Sequence, residues 1–110
     1  MARETSGFSK WLRTVEVVTR EVPLVSALGA VSRLAREAFG ARLWFVEILG
    51  RRWSYVAGEG GAEPTPSSVA RIPLDVRFGL VSDSWGTVNH EDRALLIAFL
   101  RNLVIARGSS

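Results

Sequence analysis

Few side chains in this sequence are of the types that carry out chemistry. The chain has one histidine, His90, and no cysteine, which excludes thiolate metal sites, cysteine nucleophiles and disulfides. His90 is expected in the exposed first turn of a helix, where a general base or a haem ligand would need convergent partners and a pocket. We interpret His90, Glu91 and Asp92 as a helix start, because acidic side chains are favoured at the positive end of the helix dipole.

Two further segments have alternative interpretations as sites. Ser82-Asp83-Ser84 offers hydroxyls beside an acid, but no base is available to activate them, and the same residues are typical of a turn. The segment 58–67 holds three glycines and two prolines. A phosphate-binding loop is the alternative interpretation, but the segment lacks the lysine of a P-loop. We therefore expect a flexible loop. The sequence therefore predicts a protein that is not an enzyme and has no metal or cofactor.

Glu47 is the charge that stands out, because it interrupts an otherwise apolar segment. Charged residues are seldom buried unless they are paired. One interpretation is a solvated face of an antiparallel sheet. The other is a ligand or partner face on the side of the sheet away from the helices, formed by Phe45, Glu47, Arg52, Ser54 and Arg71.

Two helices are expected first. Apolar residues recur at helical spacing over 8–22 and again over 24–39, and Pro23 separates the two segments. Residues 43–49 and 52–57 are rich in β-branched and aromatic residues around Gly50-Arg51, which predicts a β-hairpin. In that hairpin Ile48 lies opposite Trp53, Val46 opposite Tyr55 and Trp44 opposite Ala57, and we assign this face to the core.

Two shorter strands are expected at 69–74 and 78–81, followed by a helix from Asn89 to about Arg107. The predicted fold class is α/β of the α+β type. It has an antiparallel sheet with helices packed on one face, in the order αα-ββ-ββ-α. At 110 residues the chain has the size of a single domain, with flexible ends at 1–7 and 108–110.

This layout resembles a minimal or truncated GAF domain. Three stretches carry the resemblance: Ala70-Arg71-Ile72-Pro73-Leu74, like the family's apolar strand ending in Pro-Leu; Phe78-Gly79-Leu80-Val81, like its next strand; and 89–96, like the acidic start and paired leucines of its last helix. The candidate ligand face corresponds to the pocket side of that family. Only about ten loop residues stand where a full-length member closes its pocket, so we expect an open or truncated pocket. The signatures for cyclic nucleotides, bound chromophores and sulfoxide reduction find no match.

The resemblance also implies pairing through the terminal helices. The last helix has an apolar arc near 200° wide, in which Leu95, Phe99 and Leu103 are expected on the sheet. A second cluster on that helix must then meet the first helix, a partner subunit or both. The expected homodimer interface comprises Trp11, Val15, Leu96, Leu100 and Val104.

The expected function is that of a non-catalytic GAF-like regulatory, signalling or dimerisation module. Two alternatives stay open: a small-molecule sensor domain with an open pocket, and a nucleic-acid-associated regulatory protein. The net charge of +3 is small and the arginines are scattered, so nucleic acid is the less favoured partner. The polar start of the chain and the lack of a long apolar run favour a cytoplasmic protein without a membrane partner.

Overall fold

A computed structural model describes residues 2–59 and 69–108 of the chain and shows an α+β fold. The expected order αα-ββ-ββ-α is confirmed. A short 3-10 turn at Trp85–Thr87 precedes the last helix. The elements are α1 (Ala2–Thr19), α2 (Leu24–Phe39), β1 (Leu43–Leu49), β2 (Arg52–Gly58), β3 (Ala70–Pro73), β4 (Phe78–Ser82) and α3 (His90–Gly108).

α1 begins and ends earlier than expected, at Ala2 and Thr19. The flexibility expected at 1–7 and 108–110 stays a prediction. α3 includes Gly108. Of the segment expected to be flexible, Gly58 and Glu59 are described; residues 60–67, like 109 and 110, lie outside the described part of the chain.

α1 and α2 form a helical pair separated by Pro23, as expected. α1 buries Phe8, Val15 and Thr19, which lie on one face of the helix at spacings of seven and four residues. The ring of Phe39 at the end of α2 contacts Phe8 and Trp11, with ring centroids 5.7 and 4.9 Å apart. These aromatic contacts fix the start of α1 on the end of α2.

The four strands form one antiparallel sheet in the order β2-β1-β4-β3. Gly50 turns the β1–β2 hairpin with a φ of 64°, a conformation that suits glycine at the first central position of the turn. Val46 lies opposite Tyr55 and Ile48 opposite Trp53, as expected. Trp44, however, lies opposite Gly58, because a bulge between Phe45 and Val46 leaves one extra residue in β2.

The assignment of sheet faces made from the sequence is wrong. Leu43, Phe45 and Leu80 are fully buried in the main core together with residues of α2 and α3, so these side chains face the helices. Trp44, Val46 and Val81 form a separate small cluster on the opposite face. The physical reason is that β1 is apolar on both faces, so its pattern did not distinguish the helix side from the open side.

The main core therefore lies between one face of the sheet and the helices. Ser32 links α2 to β1, because its hydroxyl donates a hydrogen bond of 3.0 Å to the carbonyl oxygen of Leu43. Arg107 at the end of α3 donates hydrogen bonds of 2.6 Å to the carbonyl oxygens of Val22 and Arg20. This contact satisfies carbonyl groups at the α1–α2 connection that have no helical partner. Among the helices that the structure describes, none has the length and apolar character needed to cross a membrane.

Candidate functional site

The five residues of the predicted ligand face do not lie together. Phe45 is fully buried among the core residues beneath the helices. Glu47 and Ser54 face each other across the β1–β2 pair on that same side of the sheet, and Arg52 lies at the turn end of β2 opposite Leu49. Arg71 pairs with Val81, so it lies on the opposite face. The structure therefore corrects the predicted site: these residues do not form one surface.

Glu47 has a structural partner that the sequence did not reveal. The Nε of Arg77 donates a hydrogen bond of 2.9 Å to Oε2 of Glu47, and both side chains are partly exposed. Arg77 also places its side chain over the ring of Phe78, 5.0 Å from the centroid. Glu47 is thus a paired, partly exposed charge within β1, and this explains how an acid is tolerated in an apolar segment.

The face away from the helices carries an aromatic cluster edged by charges. Trp44 is buried there with Val46 and Val81, and Trp53 and Val69 pack against them. The guanidinium of Arg42 lies 5.2 Å from the ring centroid of Trp44, a distance at which cation–π attraction operates. This side of the sheet therefore has its own small core, which sequence reasoning missed because it placed these residues under the helices.

Arg42 links that cluster to the turn after β4. Its Nε donates a hydrogen bond of 3.2 Å to Asp83, and a second, shorter contact makes the pair bidentate. The hydrogen bond to Asp83 raises the pKa of Arg42 above its ordinary value, opposed by partial burial. The backbone N–H of Arg42 donates to the hydroxyl of Ser84 at 2.8 Å, and the N–H of Ser84 donates to Ser82. Ser82, Asp83 and Ser84 therefore hold a turn, the alternative that the sequence favoured.

The residues expected at a dimer interface are core residues. Val15, Leu96, Leu100 and Val104 are fully buried within the single chain. Trp11 is half-buried, and its ring N–H donates to the carbonyl oxygen of Leu34 at 3.3 Å. A side chain that is inaccessible in one chain cannot contact a second copy. The structure therefore corrects these positions, while self-association itself stays a prediction.

The structure also corrects which residues of α3 face the core and which face outward. Of the residues expected on the sheet, Leu103 is buried but Leu95 is 46% exposed, whereas Leu96, Leu100 and Val104, expected to meet the first helix or a partner subunit, are fully buried within the chain. Both sides of this helix carry apolar residues, so the wheel alone did not decide between them. The outward face of α3 consists of exposed residues at helical spacing: Glu91, Ala94, Leu95, Ala98, Arg101, Asn102, Ile105 and Ala106. The alanines at 94, 98 and 106 are the sequence signal that could have found it.

The start of α3 is a capped helix end. The side-chain oxygen of Asn89 accepts the N–H of Glu91 at 2.8 Å, which confirms the expected cap. His90 is exposed. Desolvation, and secondarily the charge of Glu91, raises the pKa of Asp92 above its ordinary value. Within residues 2–59 and 69–108, no group of three or more histidine, cysteine or acidic side chains is arranged to hold a metal ion.

Comparison with models of known protein families, with curated proteins and with solved structures gave no match. The resemblance to GAF domains thus stays a prediction. The outward face of α3 is the surface on which a functional interpretation can be built.

Proposed function

We propose that this chain is a non-catalytic regulatory module that forms a homodimer through the outward face of α3. The observation that carries the proposal is the exposed apolar content of that face. Leu95 is 46% and Ile105 is 57% exposed, although the opposite side of the same helix already supplies the core. Large apolar side chains exposed on a helix face, next to polar ones, are typical of a surface that a partner covers.

The spacing of the outward residues suits a helical partner. Leu95, Ala98, Asn102 and Ile105 follow one another at intervals of three, four and three residues, which is the spacing of the contact positions in a two-helix coiled coil. Ala98 lies between the two larger side chains and lets a second helix approach closely. Asn102 offers an amide that can donate and accept hydrogen bonds within such a contact.

The symmetry of these positions favours a second copy of this chain as the partner. Intervals of three, four and three residues read the same in both directions. In two α3 helices packed antiparallel about a two-fold axis, Leu95 of each copy therefore lies opposite Ile105 of the other, and Ala98 opposite Asn102. The antiparallel arrangement also sets the positive end of each helix dipole towards the negative end of its neighbour.

The side chains with catalytic potential are engaged elsewhere. The serine hydroxyls of the turn after β4 accept backbone N–H groups, Asp83 pairs with Arg42, and Glu47 pairs with Arg77. These contacts support a structural use of the groups that an enzyme would need to keep available. Regulation by such a module would act through the relative placement of the two copies.

The test is the molecular mass in solution, measured by native mass spectrometry and light scattering. The wild-type chain is expected to be a dimer, and the double variant Leu95→Glu/Ile105→Glu a monomer with an unchanged circular dichroism spectrum. Val76→Glu is the matched control, because Val76 is 95% exposed in the turn between β3 and β4. That variant should remain dimeric.

Two results would contradict the proposal. A wild-type chain that is monomeric at every concentration reached would remove self-association altogether. A double variant that stays dimeric would show that the copies pair through another surface.

A further inference from the structure

A polar groove lies between α2 and the end of β2. Its volume is about 250 Å³. Glycine, arginine, serine and glutamate residues line it: Gly29, Ser32, Arg33, Arg36, Gly58 and Glu59. It is separate from the outward face of α3, so it is independent of the dimer contact proposed above.

Two arginines supply positive charge to this groove. Arg33 and Arg36 lie three residues apart on α2 and therefore on neighbouring positions of one helix face. Arg36 contacts Oε1 of Glu59 through Nη1 at 3.1 Å. Within the described part of the chain, Arg33 forms no hydrogen bond or ion pair, and its side chain is exposed. The groove thus holds two guanidinium groups and one carboxylate.

Glu59 shows that the groove accommodates a carboxylate. Only 9% of its side chain is exposed, against 65% for its partner Arg36. Its backbone N–H donates to the carbonyl oxygen of Leu43 at 3.1 Å, so the main chain is fixed while the carboxylate reaches the arginine. A carboxylate belonging to the chain itself therefore lies where an external anion would bind.

Gly29 lines the helix side of the groove without a side chain. Glycine within a helix is destabilising relative to alanine. Neither a positive φ nor a close neighbour requires glycine at this position, because no atom lies within 4 Å of the place its Cβ would occupy. The absence of a side chain exposes the surface of α2 one turn before Arg33. A ligand can approach the helix backbone there.

We propose that this groove binds a small molecule through a carboxylate or phosphate group, held by Arg33 and Arg36 in competition with Glu59. Guanidinium groups match both anions in geometry, because two parallel N–H donors face two oxygens. Arg33 donates hydrogen bonds to the anion from its guanidinium group. Arg36 binds the anion either while it still contacts Glu59 or after that contact breaks. The rest of the ligand lies along α2 over Gly29.

The experiment is a titration of the ¹⁵N-labelled full chain with inorganic phosphate and, separately, with acetate, followed by NMR against sodium chloride of equal ionic strength. The amide signals of Gly29, Arg33 and Glu59 are expected to shift and saturate. Arg33→Gln should weaken binding about tenfold, as expected for loss of a charge-assisted hydrogen bond. Glu59→Gln should strengthen it severalfold, because the competing charge is gone.

Two further variants separate this site from general attraction of anions. Arg71→Gln removes an exposed arginine on the other face of the sheet and should leave the affinity unchanged. Gly29→Ala should weaken binding of the larger phosphate while raising the stability of the fold, since alanine favours the helix. Preference for phosphate or for acetate decides which anion the ligand carries.

Three outcomes would overturn the proposal. One is the lack of any saturable shift with either anion. Another is equal affinity in the Arg33→Gln and wild-type chains. The third is weaker binding in Glu59→Gln, which would mean that Glu59 organises the arginines and does not compete for them.

Discussion

The six-membered ring of Trp53 lies over the backbone of Gly79, reaching from β2 across β1 to β4. A Cβ added at Gly79 would come within 2.9 Å of Cζ3 and 3.1 Å of Cη2 of that ring. Gly79 faces away from the helices, opposite Val46. The glycine thus provides the space in which the indole covers the small cluster on this face.

This contact predicts that Gly79→Ala destabilises the fold by about 1 kcal/mol or more, in the range of core overpacking. The ring must move to admit the methyl group. In a Trp53→Leu background the same substitution should cost little, since the clashing atoms are absent. Urea unfolding of the four chains in this cycle measures the coupling. Equal costs in both backgrounds would show that the ring does not set the requirement for glycine.

Substitution by alanine should lower the stability of the fold by different amounts at two glycines with positive φ, Gly50 and Gly58. Gly58 has a φ of 117°, and a Cβ there would collide with the carbonyl oxygen of Leu43. Gly50 has a φ of 64° with open space around it. Gly50→Ala should cost about 1 kcal/mol, from backbone conformation alone. Gly58→Ala should cost about 3 kcal/mol or more, because strain and a collision with the backbone add.

Thermal and urea unfolding of both alanine variants check this pair. Gly50→Ala serves as the control, since it introduces the same side chain without a neighbour. Similar stabilities for the two variants would mean that the β1–β2 pair adjusts at its bulge to admit the methyl group.

The sequence predicted which elements form, but not which way two of them face. In β1, the side chain of Phe45 lies on one face of the sheet and those of Trp44 and Val46 lie on the other, and all three are apolar. Hydrophobic pattern predicts a face only when the other face is polar. Glu47 was the one polar marker in that strand, and it misled the assignment, because it lies on the same side of the sheet as Phe45, where Arg77 pairs with it.

The same limitation applies to α3. Leu95 and Leu96 are adjacent leucines, yet Leu96 is fully buried and Leu95 is 46% exposed. The rotation of this helix is set by tertiary contacts, such as the bonds from Arg107 to the α1–α2 connection, which link residues more than eighty positions apart. No local pattern encodes a contact of that separation. The start of the helix was predictable because the Asn89 cap is local.

Replacing either partner of the Arg42–Asp83 pair by alanine should destabilise the fold, but by unequal amounts. The side chain of Asp83 is only 3% exposed, whereas that of Arg42 is 34% exposed. Arg42→Ala removes the guanidinium from a buried carboxylate, which is destabilising by about 3 kcal/mol in comparable cases. Asp83→Ala leaves a guanidinium that can turn towards water, so its cost should be smaller.

Urea unfolding of Arg42→Ala, Asp83→Ala and the double variant measures both costs and their coupling. The double variant should be more stable than Arg42→Ala, because it also removes the buried negative charge. A double variant less stable than either single one would show that the two residues act independently through other contacts.

Asp92 predicts a dependence of stability on pH. Desolvation first, and the charge of Glu91 second, raise the pKa of this carboxyl above its ordinary value in the folded chain. Between the ordinary and the raised pKa, the native state binds more protons than the unfolded state. The contribution of Asp92 to stability therefore falls as the pH rises through that window, and it is constant above it.

The variant Asp92→Asn tests the sign of this dependence. It lacks the titrating group, so its free energy of unfolding should rise relative to that of the wild type between acidic and neutral pH. Glu91→Gln should lower the pKa of Asp92, followed by NMR of its carboxyl carbon, but only in part, since desolvation is the larger cause. The backbone bond from the N–H at position 91 to Asn89 is kept in both variants. A carboxyl that titrates at or below the usual value of about 3.9 would mean that the helix dipole outweighs desolvation at this position.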